Sequence, residues 1–162
     1  MEKGKNPSAS RVEMTHLVLP SDANAMGSIF GGHVMGWIDM AAAMAAMRHA
    51  RKNCVTVSMD ELHFISPVKV GHILMLKASV NYTHKTSLEV GVKVEAEDPL
   101  TGEHCHTASA YLTFVCLDAD GKPTPVLPVL PETPLEKRRF KEAADRRQLR
   151  LKVREERKKA RT

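Results

Sequence analysis

Asp39 is the one charged side chain within residues 30–47, an otherwise apolar or small-residue segment that reads FGGHVMGWIDMAAAMAAM. A carboxylate is costly to bury alone, so this one needs a partner or a function. If the segment is a helix, the neighbours of Asp39 stand three, four and seven positions away along one face. Most of those neighbours are small, and they are Met35, Gly36, Ala42, Ala43 and Ala46. Space beside a carboxylate suits a thin substrate and predicts a residue that orients or deprotonates water.

Two glycines precede this segment and predict a place for an oxygen of the substrate. Gly31 and Gly32 allow a ligand atom to approach the backbone closely, and the first amides of a helix are free donors at the positive end of its dipole. A developing oxyanion would be stabilised there. The structural alternative is that Asp39 caps a backbone group or pairs with an arginine or histidine in the core, as buried acids usually do.

The segment that carries Asp39 predicts a helix, and the chain after it predicts strands. Residues 34–47 are nearly all apolar, so the helix prediction rests on length and on the content of alanine and methionine. This run is too short to span a bilayer. The stretch SLEVGVKVEAE alternates, with an apolar face opposite charged residues that include Glu89, and predicts an antiparallel sheet with one buried and one solvated face. A helix that is apolar nearly all round must be enclosed, so we predict an α+β fold with a sheet wrapped around one long helix.

Composition divides the chain into three parts. Residues 1–10 are polar and predict a flexible leader, and residues 11–133 predict the folded domain. Residues 134–162 form a basic tail, helical or partly disordered, with 13 Lys and Arg against five Asp and Glu; Phe140 and Leu149 are its candidate packing residues. The net charge of the whole chain is +5, so the domain itself is mildly acidic and any anionic partner concerns the tail.

The cysteines and the N-terminal residues predict a cytoplasmic protein. The N-terminus has no apolar stretch that could act as a secretory signal. Three cysteines without CxxC spacing do not predict a disulfide framework. His104 and His106 share a strand face, but a metal site needs more ligands to converge, so none is predicted.

Three stretches together resemble the hotdog-fold acyl-CoA thioesterases, nearest to the bacterial YciA type and the animal cytosolic acyl-CoA hydrolases. They are PSDANAMGSIFGGHVMGWIDMAAAMAAMRHA, VTVSMDELHFISPVKVGHIL and HKTSLEV, within the first three quarters of the chain. The order DAN, G, GG and then an Asp is the specific part of the pattern. The GDxNPxH pattern of hotdog hydratases, the HFPG pattern of the dehydratases and the DxDxxG loop of hydroxybenzoyl thioesterases are absent, which favours thioester hydrolysis over dehydration.

The resemblance implies roles for individual residues. Asp39 matches the acidic residue of the family, as general base or as nucleophile, and Asn24 of a partner subunit matches the amide that positions water or thioester. Gly31 and Gly32 match the amides that hold the thioester carbonyl. The resemblance further implies a homo-oligomer, a dimer or a trimer of dimers, with active sites at the dimer interface. It implies hydrolysis of acyl-CoA to a free acid and coenzyme A, with no metal and no cofactor other than the coenzyme A of substrate and product.

Two groups of residues are candidates for contact with coenzyme A, whose phosphates need cations. Lys85, Thr86 and Ser87 form a polar turn, and Arg48 and Arg51 follow the apolar run; for each the alternative is ordinary solvated surface. The length of the acyl chain is not predicted. A hypothesis of another class is a non-catalytic acyl-CoA sensor or nucleic-acid binder that uses the basic tail. The tail offers one aromatic side chain for stacking and no recognition fold, so we favour the enzyme, with neither nucleic acid nor membrane as a partner.

Overall fold

The computed structural model describes residues 3–60 and 62–161. The described chain forms two short 3₁₀ helices (Pro7–Ser10 and Pro20–Asp22), five strands and two α-helices: β1 (Val12–Leu17), α1 (Gly31–Ala50), β2 (Asn53–Met59), β3 (Ile73–His84), β4 (Ser87–Glu97), β5 (His104–Leu117) and α2 (Pro134–Lys159). The strands form one antiparallel sheet in the order β1-β3-β4-β5-β2. The predicted succession of strand, helix and four strands is confirmed.

Helix α1 lies against the sheet and contacts all five strands. Its sheet-facing side is fully buried and rich in alanine, which lets the helix backbone approach the strands; this side includes Val34, Ile38, Ala41, Ala42, Ala45 and Ala46. The opposite side is not covered, because Met40, Met44 and Met47 are each between 38% and 49% exposed. The prediction that α1 is enclosed on all sides is therefore wrong for the single chain, in which the sheet covers one side only.

The alternation predicted for β4 is confirmed on its inner face, where Leu88, Val90, Val92, Val94 and Ala96 are all buried. The outer face differs from the prediction at Glu89, which is only 2% exposed. Helix α2 covers this carboxylate: Arg146 contacts it at 2.7 Å and Arg150 at 3.0 Å. The guanidinium of Arg146 also stacks 3.6 Å from the ring centre of Tyr111. Paired charges replace water on this face, so the sheet carries helices on both sides.

Helix α2 begins at a capping box, in which Thr133 accepts from the N–H of Glu136 and the Glu136 carboxylate accepts from the N–H of Thr133. Burial alone would raise the pKa of Glu136. The backbone N–H groups of Glu132 and Thr133 outweigh it, with help from the charge of Arg11, and hold that pKa below its usual range. The box both starts α2 and ties it to the N-terminal segment.

The side chains of α2 contact the domain as far along the helix as Arg150. Phe140 packs against Tyr82 with ring centres 4.9 Å apart, as predicted. The prediction for Leu149 is wrong, because this side chain is 63% exposed. Residues 151–159 are exposed throughout.

The flexible-leader prediction is wrong for residues 5–10. Lys5 forms a parallel bridge with Val129, and its Nζ donates to the carbonyl oxygens of Arg48 and His49 at the end of α1. The last carbonyls of a helix lack intrahelical partners, and Lys5 satisfies two of them. Met1 and Glu2 of the predicted leader, and Thr162 of the predicted tail, lie outside the described residues.

Helix α1 is the more apolar of the two α-helices, yet none of the helices in the described residues is long and apolar enough to cross a membrane.

Candidate active site

Asp39 lies midway along α1, at the border between the buried and the exposed sides of the helix, and is half-buried. Its Oδ1 accepts a hydrogen bond of 2.6 Å from Oγ1 of Thr56 on β2. This distance is at the short end of the range for a hydroxyl that donates to a carboxylate oxygen. Among the described residues, the side-chain partner of Asp39 is a neutral hydroxyl and not the arginine or histidine of the structural alternative.

Of the small residues predicted to leave space beside Asp39, only those before it on the helix do so. Ala42 and Ala46 are fully buried and pack against the sheet, so they leave no room on their side. Gly36, one turn before Asp39, faces open space, because a Cβ built there would meet no atom within 4 Å. A substrate can reach Asp39 from the uncovered side of α1.

Thr56 is a site residue that sequence reasoning missed. β2 pairs with β5 so that Thr56 stands opposite Phe114, and the register shifts between Thr56 and Ser58. Because Phe114 is fully buried beneath α1, the side chain of Thr56 faces the helix as well. Its signal in the sequence is weak: a threonine on a strand is common, and only the packing of β2 against α1 brings it to the carboxylate.

The glycines at the start of α1 are lined by aromatic rings. A Cβ at Gly31 would lie 3.5 Å from the ring of Phe64, and one at Gly32 would lie 2.5 Å from the ring of Phe30. Gly32 is thus needed for Phe30 to fold back over the helix start. Phe30 flanks the helix as its N-cap and makes no side-chain cap bond, which leaves the first amides to other acceptors.

The structure does not bring these amides to the carboxylate of the same chain. Gly31 and Gly32 precede Asp39 by seven or eight helical residues, which corresponds to about 10–12 Å along the axis. A carbonyl held at the amides and a water held at the carboxylate must be in contact to react. Within one chain, the predicted oxyanion site and the predicted base are therefore too far apart to serve one substrate.

Asn24 lies in a tight loop between residues 23 and 29, whose ends form an antiparallel bridge. Its Oδ1 accepts from the N–H groups of Met26 at 2.9 Å and Ser28 at 3.3 Å, and thereby shapes the loop. Gly27 turns the chain with a φ of 76°, in the left-handed region that favours glycine. Asn24 is exposed, so its side-chain amide nitrogen is available to a ligand or to a second chain.

A hollow of about 180 Å³ lies beside this loop at the start of α1. Its lining is mostly apolar and consists of Ser28, Ile29, Gly31, Phe64, Ser66, Pro67 and Val68. The hollow therefore connects the helix start to a lipophilic surface.

The predicted coenzyme A residues lie at the other end of α1. Lys85 and Thr86 join β3 to β4, with Lys85 in the left-handed region at a φ of 47°. The Lys85 carbonyl accepts from the N–H of Val126, and Lys52 donates to the carbonyl of the adjacent Pro125. The connector between β5 and α2 thus holds the turn next to the end of α1.

The side chains of this group are not all available. Ser87 bonds back to the carbonyl of His84 at 3.1 Å, and Arg48 donates to the carbonyl of Arg11. Arg51 ends α1 in the left-handed region and is exposed. Burial, with the positive charges of Arg147 and Lys85, lowers the pKa of His84, which lies beside the turn.

Comparison with known proteins defines the class. Residues 26–103 match the model of the Thioesterase superfamily. The chain is 43% identical over 124 residues to the uncharacterised acyl-CoA thioester hydrolase YkhA of Bacillus subtilis, a match that covers 76% of this chain and 72% of that protein.

Solved structures agree. An apo-hexameric acyl-CoA thioesterase is 44% identical, with a TM-score of 0.89, and the match covers 91% of this chain and 95% of that one. The acyl-CoA hydrolase of Staphylococcus aureus, solved in complex with butyryl coenzyme A, coenzyme A and coenzyme A disulfide, is 39% identical with a TM-score of 0.89 and covers 96% of this chain and 95% of its own. The sheet, the helix that carries Asp39 and these similarities define a thioesterase of hotdog fold. Within that class, the chain belongs to the acyl-CoA thioester hydrolases.

Proposed function

We propose that Asp39 activates the water that hydrolyses an acyl-CoA thioester, the reaction that family membership assigns to this chain. The observation that carries the proposal is the hydrogen bond from Thr56, which holds one carboxylate oxygen and leaves Oδ2 directed to other partners. Oδ2 takes a proton from water as the water oxygen attacks the carbonyl carbon. The tetrahedral intermediate then expels coenzyme A as the thiolate, which is protonated, and the free acid leaves. No step needs a metal or a further cofactor.

We assign the oxyanion site to a second chain. Gly31 and Gly32 are about 10–12 Å from the Asp39 of their own chain, so their amides serve the carboxylate of a partner. Asn24, whose loop adjoins the same helix start, accompanies them and directs its amide nitrogen at the water or the thioester. In this arrangement each active site uses Asp39 of one subunit and the helix start of the other.

The uncovered apolar surface supports an oligomer. β2 is the last strand of the sheet order and therefore an unpaired edge, which offers backbone groups to another strand. Val55 and Val57 on this edge and the methionines of α1 are exposed large apolar side chains. Such a patch is typical of protein interfaces, and a similar thioesterase is described as hexameric. We propose a dimer through this surface, with a trimer of dimers as the larger assembly.

We propose that the coenzyme A moiety binds at the end of α1 that lies near the β3–β4 turn. Lys85, Thr86 and Arg51 are the residues there that could contact phosphates, and Arg48 adds charge while it holds the carbonyl of Arg11. Ser87 contributes through its backbone, because its hydroxyl is bound to His84. The charge of the site favours an anionic ligand such as a nucleotide phosphate.

The compartment we propose is the cytoplasm. Its support is that all three cysteines are free thiols, as in reducing compartments. Fractionation of the cells that produce the protein, with immunodetection, tests it.

Asp39→Asn tests the catalytic assignment. Asparagine keeps the size of the side chain and its hydrogen bond with Thr56, but it cannot accept a proton. We expect the rate of thiol release from an acyl-CoA panel to fall at least about 100-fold, in line with the loss of a general base. The thermal midpoint and the affinity for coenzyme A stay close to those of the wild type. A variant with unchanged turnover would refute the role of Asp39.

Mixed oligomers test whether a site spans two chains. Asn24→Asp keeps the Oδ1 that shapes the loop and removes the amide donor. Each of Asp39→Asn and Asn24→Asp is expected to be inactive alone, while heterodimers isolated by two affinity tags regain one intact site. Verified heterodimers without activity would place both residues in the same site of the same chain.

A further inference from the structure

Cys54 and Cys116 form a pair of free thiols on neighbouring strands. The register of β2 and β5 places them directly opposite each other, with their Sγ atoms 3.3 Å apart. The third cysteine, Cys105, lies toward the other end of β5, where its sulfur accepts a weak bond from Ser66 at 3.9 Å. The chain therefore has one matched pair of thiols and one that is separate from it.

Backbone hydrogen bonds show that this pair is close enough to be bridged. The N–H of Cys116 donates to the carbonyl of Thr86, and its carbonyl accepts from the N–H of Thr124. Both groups therefore point away from β2, which makes Cys54 and Cys116 a pair without mutual backbone bonds. Such pairs have Cα atoms about 4.5 Å apart, within the range that a disulfide spans. The sulfurs need to approach by about 1.3 Å to reach bonding distance.

The two thiols differ in exposure and acidity. Cys116 is fully buried and Cys54 is half-buried, so a reagent from solvent meets Cys54 first. A hydrogen bond joins the two sulfurs, with either thiol able to donate, and it lowers the pKa of Cys116; burial opposes this effect and the charge of Lys52 adds to it. The same bond, together with burial and the charge on Cys116, raises the pKa of Cys54. The pair is therefore asymmetric: Cys54 is the thiol that meets a reagent from solvent, and Cys116 lies beside it as the second thiol of an exchange.

We propose that Cys54 and Cys116 are a redox modification site that closes to a disulfide when it meets a small-molecule disulfide, independently of the function proposed above. The Cys54 thiol loses its proton to solvent and its sulfur attacks one sulfur of the reagent RSSR, which forms Cys54–S–SR and releases RS⁻, which takes up a proton. Cys116 then loses its proton and attacks the Cys54 sulfur, which forms the Cys54–Cys116 bond and releases the second RS⁻. The two protein thiols lose two electrons and two protons, and RSSR becomes two RSH.

The disulfide joins the edge strand β2 to its neighbour, two residues before Thr56. Because it closes a loop of 62 residues, it restricts the unfolded chain strongly. We expect it to raise the thermal midpoint by roughly 5–15 °C. The site is reversible, since an excess of small thiols returns both cysteines to the free state seen in the structure.

Oxidised glutathione applied to the full-length protein at pH 8 tests the proposal. The control Cys105→Ser, which lacks the exposed third thiol, is expected to lose both alkylatable thiols, to retain no glutathione, and to yield a linked peptide pair that contains Cys54 and Cys116. The wild type is expected to yield the same linked pair, with any glutathione confined to Cys105. Cys116→Ala is expected to keep glutathione on Cys54 as a stable mixed disulfide, and Cys54→Ser is expected to stay unmodified at Cys116.

The result is decided by the wild type and Cys105→Ser even if a variant of the pair fails to fold. The proposal is overturned if the wild type keeps all three thiols in excess oxidised glutathione. It is equally overturned if glutathione stays on Cys54 without a link to Cys116, or if the link that forms involves Cys105.

Discussion

Replacing Thr56 with valine removes the hydroxyl that donates to Asp39 and keeps the shape of the side chain. A hydrogen bond to a charged group contributes about 1.5–3 kcal/mol, which corresponds to about a 10- to 150-fold change in rate if the bond acts in the transition state. Asp39 is half-buried, so water replaces part of the lost bond and the lower part of this range applies. We expect kcat to fall by roughly 10- to 30-fold, with little change in KM, because Thr56 contacts the base rather than the ligand.

The assay is release of free thiol from saturating acyl-CoA, followed as the enzyme concentration is varied. Thr56→Ser is the matched control, since it restores the hydroxyl and loses only a methyl group; its kcat is expected to lie near that of the wild type. If Thr56→Val folds with an unchanged thermal midpoint and its kcat stays within about twofold of the wild type, the hydrogen bond does not position the catalytic carboxylate.

Three further perturbations follow from the structure. Glu89→Ala removes the carboxylate that pairs with Arg146 and leaves Arg150 with Asp60 alone. It is expected to lower the free energy of unfolding in urea by about 3 kcal/mol, whereas Leu149→Ala on the exposed part of the same helix should change it by less than about 0.5 kcal/mol. Val57→Asp places a charge on the edge of β2 and is expected to give monomers in light scattering that also lack activity; an active monomer would contradict a site built from two chains. The pKa of Glu136 is lower in the folded state, so its carboxylate stabilises the fold at pH values above the usual glutamate pKa of about 4.3. This stabilisation is lost as the pH falls through the lower folded pKa. Glu136→Gln should therefore lose less stability than the wild type between pH 5 and pH 3, and parallel losses would refute this.

Local pattern was sufficient for most of the fold. The two-residue alternation of β4 identified its buried face, because a sheet with one covered face imposes that period directly on the sequence. The length and composition of residues 34–47 identified α1, and a lone carboxylate in that run pointed to Asp39. Each of these signals is contained within a single helix or strand.

The parts that could not be predicted depend on contacts between distant segments. Glu89 has the sequence setting of a solvated residue, and only the arrival of α2 with Arg146 and Arg150 buries it. Thr56 reaches Asp39 because of the register and the bulge of β2, which no local pattern specifies. The distance of Gly31 and Gly32 from Asp39 follows from helix geometry. Whether these amides can still serve an Asp39 carboxylate depends on the position of a second chain, which the sequence does not specify.

The uncovered side of α1 ties the stability of the fold, in the dimer proposed above, to the protein concentration. A subunit alone exposes Met40, Met44 and Met47 to water beside an open strand edge. Association would remove this surface from water, and by mass action the stability of the folded subunit would then rise with protein concentration. In the proposed dimer, dilution would separate each Asp39 carboxylate from the amides proposed to complete its site and would return this apolar surface to water.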